Sequence, residues 1–202
     1  MSLKVKNKKG PSAPPVEGGT YPSVCVCIVD LGEQYNEHFK KYEDKVLLVW
    51  ELPTVTIEVE GEQKPRWLSK DFSATLSSKS NLTKFLVPWR GKPFTDEELN
   101  GEGFDLKELL GKGGLLQVIV EEKDGNQYNR ITGVMGYPVG MPEPTTQNEL
   151  LFFDMDEWND ETLEKLPGWI QDRVKKSTQY QKLHAPTDSI EVKEQPEGAC
   201  PI

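Results

Sequence analysis

Residues 64–92 concentrate positive charge in an otherwise acidic chain. The 202-residue sequence has a formal net charge of −9, yet this segment contains a single acidic residue, Asp71. Lysine and arginine neutralise phosphates and aromatic rings stack on unpaired bases, so cations interleaved with rings suit a single-stranded nucleic-acid site. The side chains of the segment that we expect to contact nucleic acid are Arg66, Trp67, Lys70, Phe72, Lys79, Lys84, Trp89 and Arg90.

A predicted strand over residues 64–76 positions the first four of these side chains. Because alternate residues of a strand point to opposite faces, Arg66, Lys70 and Phe72 share one face and Trp67 lies on the other. A leucine shares the face of the two cations, so the sequence leaves open which face is outward. Trp67 can accordingly stack on a base or pack in the core.

Two pairs of candidate contacts also have a structural alternative to nucleic-acid binding. Tyr128 and Arg130 alternate with Ile131, the better core candidate, which turns them outward for stacking and phosphate contact or into a solvated cross-strand pair. Trp89 and Arg90 follow a proline in a predicted loop. There the tryptophan can clamp a nucleic-acid strand or hold two helices together.

Catalytic and metal-binding patterns are weak. The glycine-rich run at 111–114 lacks the spacing and position of a P-loop, and the acidic run at 149–164 has no evident general acid–base partner. A structural zinc site needs about four cysteine or histidine ligands. We instead expect Cys25 and Cys27, which alternate on one face of a strand, to be buried free thiols. No enzymatic activity, metal or cofactor is therefore expected.

The elements that must position these residues follow the order β-β-β-α-β-β. β-branched and alternating runs predict strands near residues 21–31, 45–59, 64–76, 115–122 and 127–137. Short helices are predicted between the third and fourth strands, the first of them ending before Pro88. This order predicts a mainly β fold, a five-stranded OB-fold Greek-key barrel with a helical insertion between strands 3 and 4.

The composition divides the chain into four parts. Residues 1–17 are expected to form a disordered basic arm, 18–140 the OB-fold domain, 141–183 a C-terminal extension with a short helix, and 184–202 a flexible acidic tail. No run of 18 apolar residues occurs, and the amino-terminal charges are not followed by an apolar segment. We therefore expect a cytoplasmic protein with no membrane partner.

A set of short segments in order carries a family resemblance that spans residues 16–180: 15–22, 49–53, 76–82, 89–95, 103–106 and 110–112. In these segments the chain resembles a family of single-stranded DNA-binding proteins encoded by tailed bacteriophages. It implies an OB fold and sequence-independent binding of single-stranded DNA in replication and recombination, in the host cytoplasm and without a cofactor. Glu191, Glu194 and Glu197 before an apolar tip resemble the tails through which such proteins recruit replication or recombination partners. A homodimer is a further expectation.

Two other functions remain open. An OB-like protein-interaction factor of a phage could dock an acidic surface onto a basic partner, a hypothesis motivated by the net charge and the acidic run at 149–164. A metal-dependent nuclease is the third hypothesis, because the same run clusters carboxylates.

Overall fold

Six strands and a few short helices make up the computed structural model, which describes residues 13–59 and 61–185. The strands are β1 Gly19–Asn36, β2 Lys41–Val59, β3 Glu62–Ser73, β4 Gly113–Lys123, β5 Asn126–Met135 and β6 Leu151–Phe153. The helices are α1 Asn81–Arg90, α2 Asp96–Asn100, a 3-10 turn Leu106–Leu109, α3 Asp160–Lys165, α4 Gly168–Val174 and α5 Thr178–Leu183. The prediction of a mainly β chain is confirmed.

The strands form one open sheet in the order β3-β2-β1-β4-β5, with β6 beside β1. Neighbours on this path pair antiparallel, whereas β6 runs parallel to β1. No strand pairing joins β3 to β5 in the described residues, so the sheet is not closed. The closed barrel of the sequence-based prediction is therefore not confirmed.

Two cores lie on opposite sides of the central strands. Trp50 of β2 and Leu86 of α1 belong to the first, and Val49 of β2 and Ile170 of α4 belong to the second. Because β1 and β2 are covered on both faces, their sequences are continuous apolar runs rather than alternating ones. The C-terminal helices α3, α4 and α5 cover the face that carries the second core. The sequence predicted one short helix in this part of the chain.

Cys25 and Cys27 lie in different cores, although strict alternation predicts one face. A register shift in β1 occurs between them, where Cys25 pairs with Trp50 and Cys27 pairs with Val49. Such a bulge inserts one extra residue and reverses the facing of the residues after it. Both thiols are free and buried, and burial raises the pKa of each, so neither is a reactive nucleophile.

The first helix continues past Pro88 to Arg90, beyond its predicted end. Ser80 caps its start by accepting the backbone N–H of Thr83, and Gly91 ends it in the left-handed conformation at φ 68°. Packing of the helix on the first core outweighs the loss of the backbone hydrogen bond that Pro88 cannot donate. The helix residues buried in the first core recur at helical spacing: Leu82, Phe85, Leu86 and Trp89.

Parts of the predicted domain division lie outside the described residues. These are residues 1–12 of the expected arm and residues 186–202 of the expected tail, including the acidic residues near its end. Among the residues that are described, no helix is both long enough and apolar enough to cross a membrane.

Candidate nucleic-acid interface

A groove of about 1210 Å³ runs between the β1–β2 hairpin, β2, β3, α1 and β5. Its charged lining consists of five lysines and two acidic residues, and we call it the basic groove. These charged residues are Lys41, Lys45, Lys70, Lys79, Lys84, Glu43 and Asp71. A cation excess in a concave surface attracts polyanions even when the whole protein is acidic.

Lys79 and Lys84 present their charges to solvent at one wall of the groove. Lys79 precedes the cap of α1, and Lys84 lies on the solvent side of the helix. Both are exposed, and neither forms an ion pair within residues 13–59 and 61–185. Of the predicted contact residues, these two best fit a phosphate-binding role.

Lys70 connects the two edge strands beside the groove. Its Nζ donates to the carbonyl oxygen of Ile131 at 2.8 Å, and lies 5.7 Å from the ring centroids of Phe72 and Phe85. Burial lowers the pKa of the Lys70 ammonium, and the charge of Arg130 adds to this effect. Lys70 therefore joins β3 to β5 while contributing positive charge to the groove lining.

The β1–β2 hairpin contributes groove residues that the sequence reasoning missed. Phe39 is 63% exposed and lines the groove, with Lys41 Nζ 5.7 Å from its ring centroid. Asn36 Oδ1 accepts the backbone N–H groups of His38 and Phe39, which fixes the turn. A cluster of aromatic and basic residues between two β-runs, at 35–42, was the signal available in the sequence.

Glu43 joins the lysines of β2 to the groove wall. Its carboxylate contacts Lys41 Nζ and Lys45 Nζ, each at 3.0 Å, and accepts from Asn36 Nδ2 and Ser73 Oγ, each at 3.1 Å. The pKa of Glu43 is lowered to about 2, mainly by the hydrogen bond from Lys41 and next by the one from Lys45. Part of the local positive charge is thus neutralised.

Phe72 and Trp89 are core residues and not stacking platforms. Phe72 is 4% exposed and Trp89 is 6% exposed, both within the first core. Trp89 Nε1 donates to the carbonyl oxygen of Gly113 at 2.8 Å, and a Cβ placed on Gly114 would lie 2.9 Å from that nitrogen. Their rings are therefore not available for stacking, and Gly114 of the glycine run at 111–114 leaves space for Trp89.

Arg90 is held inside the helical insertion. Its guanidinium carbon lies 4.0 Å from the ring centroid of Phe94 and 4.4 Å from that of Phe104, and the group is paired with Glu98. The arginine side chain is almost fully buried. Arg90 thus holds the helical insertion together. It was expected to contact a phosphate, but it is not among the residues that line the groove.

Trp67 packs on the second core, against the face that β2 turns away from the groove. Its Nε1 donates to Glu51 Oε2 at 3.1 Å, and Asn148 Nδ2 contacts the same oxygen. Buried Glu51 thus holds the segment after β5 to β2. The sequence left open which face of β3 is outward. In the structure, the ring of Trp67 is partly buried.

Tyr128 and Arg130 point outward on β5, as expected from buried Ile131. Both bind Glu121 on β4: Tyr128 Oη donates to Oε2 at 2.9 Å, and Arg130 Nε is paired with Oε1. The hydrogen bond to Glu121 is the main cause of the raised pKa of Tyr128. They form the solvated cross-strand arrangement and lie outside the basic groove.

Arg66 lines a second, smaller cavity of about 230 Å³, which we call the Arg66 pocket. Its Nε is buried and has no hydrogen-bond partner in the described part of the chain, and burial lowers the pKa of the guanidinium. The other lining residues are Ala13, Pro15, Trp67, Leu68, Ser69, Gln127, Tyr128, Asn129 and Ile131.

Within residues 13–59 and 61–185, no three histidine, cysteine or acidic side chains gather in a way that could hold a metal ion. No family model and no curated protein matches the chain. The function is therefore inferred from the geometry of the basic groove.

Proposed function

We propose that the protein binds single-stranded DNA in the basic groove, without sequence preference, as part of phage DNA replication and recombination. The observation that carries the proposal is the concentration of five lysines and one exposed phenylalanine in one groove of an acidic chain. Lysines follow the phosphate backbone and the phenylalanine ring stacks on bases. Duplex DNA keeps its base faces stacked inside, so Phe39 favours single strands.

The arrangement of strands supports an OB fold for this role. The order β3-β2-β1-β4-β5 supports it, because a five-stranded barrel opened between its third and fifth strands would have this order, and Lys70 spans the opening between β3 and β5. OB folds are partly open barrels that bind oligonucleotides on strands 2 and 3 and on the loops between strands 1 and 2 and between strands 4 and 5. The basic groove involves strands 2 and 3 and the first of these loops.

A titration of fluorescently labelled oligo-dT tests the proposal. We expect micromolar or tighter binding that weakens with added salt, with a slope of about −0.7 per phosphate contacted, and much weaker binding of a duplex of equal length. Equally poor binding of both at low salt would refute it. That outcome would favour the protein-interaction hypothesis, in which the acidic run at 149–164 docks on a basic partner.

Replacing Phe39 by alanine is expected to weaken oligo-dT binding without changing the melting temperature. Loss of one base-ring contact corresponds to roughly 1 to 3 kcal/mol, or about 5-fold to 150-fold in affinity. The ring is exposed, so its removal leaves no cavity. Fluorescence titration and thermal unfolding check the two parts.

Tyr42→Ala is the matched control for this prediction. Tyr42 is exposed on the same hairpin but is not part of the groove lining, and its ring packs edge-on to Tyr35 at 5.2 Å. Phe39→Trp should retain affinity because it keeps an aromatic face. Equal losses for the two alanine variants would argue against stacking at Phe39.

Glu43→Gln is expected to strengthen oligo-dT binding. The change removes a negative charge from the groove and frees Lys41 and Lys45. One Coulomb interaction at about 4 Å in water corresponds to roughly 1 kcal/mol, or about fivefold in affinity at low salt. Reduced affinity would instead show that Glu43 is needed to position the lysines.

The same variant has a predicted pH signature. Because the folded protein lowers the pKa of Glu43 to about 2, its stabilising effect is present above its ordinary pKa of 4.5 and is lost as the pH falls toward 2. Glu43→Gln should therefore remove part of the acid-induced loss of stability in that window. Urea unfolding at several pH values measures the difference.

A further inference from the structure

We infer that the Arg66 pocket is a second subsite for a backbone phosphate, so that a bound strand continues beyond the basic groove along the opening between β3 and β5. The inference rests on the proposed function. Its chemical target is a phosphodiester oxygen, which accepts hydrogen bonds from a guanidinium with favourable geometry.

The position of the pocket supports continuity with the groove. Residues 66–69 of β3 and residues 127–129 and 131 of β5 line the pocket, whereas residues 70–73 and 132–135 of the same strands line the groove. The hydrogen bond from Lys70 to Ile131 lies at the boundary between them. The two cavities are thus successive along one pair of strands, with Lys70 where they meet.

The chemistry of the pocket favours an anion. Arg66 lines the pocket and forms no ion pair in the described residues, where its buried Nε also has no hydrogen-bond partner, so the positive charge of its guanidinium is not compensated by the protein. Among those residues, the pocket lining contains a single charged side chain, that of Arg66, and no acidic one. The polar side chains of Ser69 and Gln127 also line it.

The amino-terminal end of the described chain lies beside this pocket. Val16 is fixed to β5 by two hydrogen bonds with the Asn129 side chain, from Val16 N at 2.9 Å and to Val16 O at 2.8 Å, and Ala13 lines the pocket.

Arg66→Gln tests the inference with oligo-dT of two lengths, about 4 and about 16 nucleotides, the extremes of the site size of one OB domain. We expect wild-type binding of the short strand, which the groove accommodates alone, and at least tenfold weaker binding of the long strand. The salt slope for the long strand should become shallower by about 0.7, the value for one phosphate. Arg66→Lys should lie between the two proteins.

Arg130→Gln is the matched control, because it removes one positive charge from β5 outside the pocket. Equal affinities of the Arg66 and Arg130 variants for the long strand would overturn the inference. A large fall in melting temperature for Arg66→Gln would also overturn it, since it would show that Arg66 serves the fold. Failure of wild-type protein to bind either strand would instead refute the groove proposal itself.

Discussion

Replacing Lys79 and Lys84 together by glutamate is expected to weaken oligo-dT binding about 100-fold at low salt. Two exposed cations at the wall of the basic groove become two anions, so phosphate attraction is lost and like-charge repulsion is added. The salt slope should become shallower by about 1.4, the value for two phosphates. Both side chains are exposed, so the melting temperature should change little.

Lys175→Glu together with Lys176→Glu is the control for this prediction. These lysines are exposed at the end of α4, outside the groove, and their replacement changes the net charge by the same amount. We expect at most a small loss of affinity, through the long-range field. A similar loss in both double variants would show that overall charge, and not the groove, controls binding.

Replacing Trp89 by alanine is expected to lower the free energy of unfolding by about 3 to 5 kcal/mol. The ring is buried against Trp50 with ring centroids 5.8 Å apart, and its loss leaves the carbonyl of Gly113 without the indole donor. Urea unfolding measures the change. Oligo-dT affinity, measured at a temperature where the variant stays folded, should not change.

Trp89→Phe separates the core role from a clamp on DNA. It keeps an aromatic ring but removes the donor to Gly113, so we expect a loss of about 1 to 3 kcal/mol in stability. If Trp89 were a clamp, the alanine variant would be stable and would bind DNA weakly. That result would contradict the core assignment.

The sequence predicts the strands well because their signals are local. Alternation and β-branched runs locate β1 to β5, and the tight turn at 123–126 joins β4 to β5. The bulge between Cys25 and Cys27 has no such signal. Its position depends on pairing with β2, a contact between residues distant in the chain, and it moves one thiol to the other core.

The candidate site was harder to predict, because burial depends on what covers each face. Phe72 shares a strand face with Lys70, and only the packing of Phe85 from α1, with ring centroids 4.9 Å apart, decides that its ring is inside. Trp89 is buried because Gly114, more than twenty residues later, leaves room for its ring and the carbonyl oxygen of Gly113 accepts its indole N–H. Charge alone selected Lys79 and Lys84 as candidate contacts, but it did not separate them from Lys64 and Lys92, which are exposed and do not line the groove.

Photo-crosslinking of a bromodeoxyuridine oligonucleotide tests the central claim most directly, with peptide mapping by mass spectrometry. We predict crosslinks in residues 36–45, which include Phe39, and in residues 79–85, because both segments line the basic groove. Trp169 provides an internal comparison, since it is exposed on α4 away from that groove. Crosslinks confined to α3–α5, or absent from both groove segments, would contradict the account.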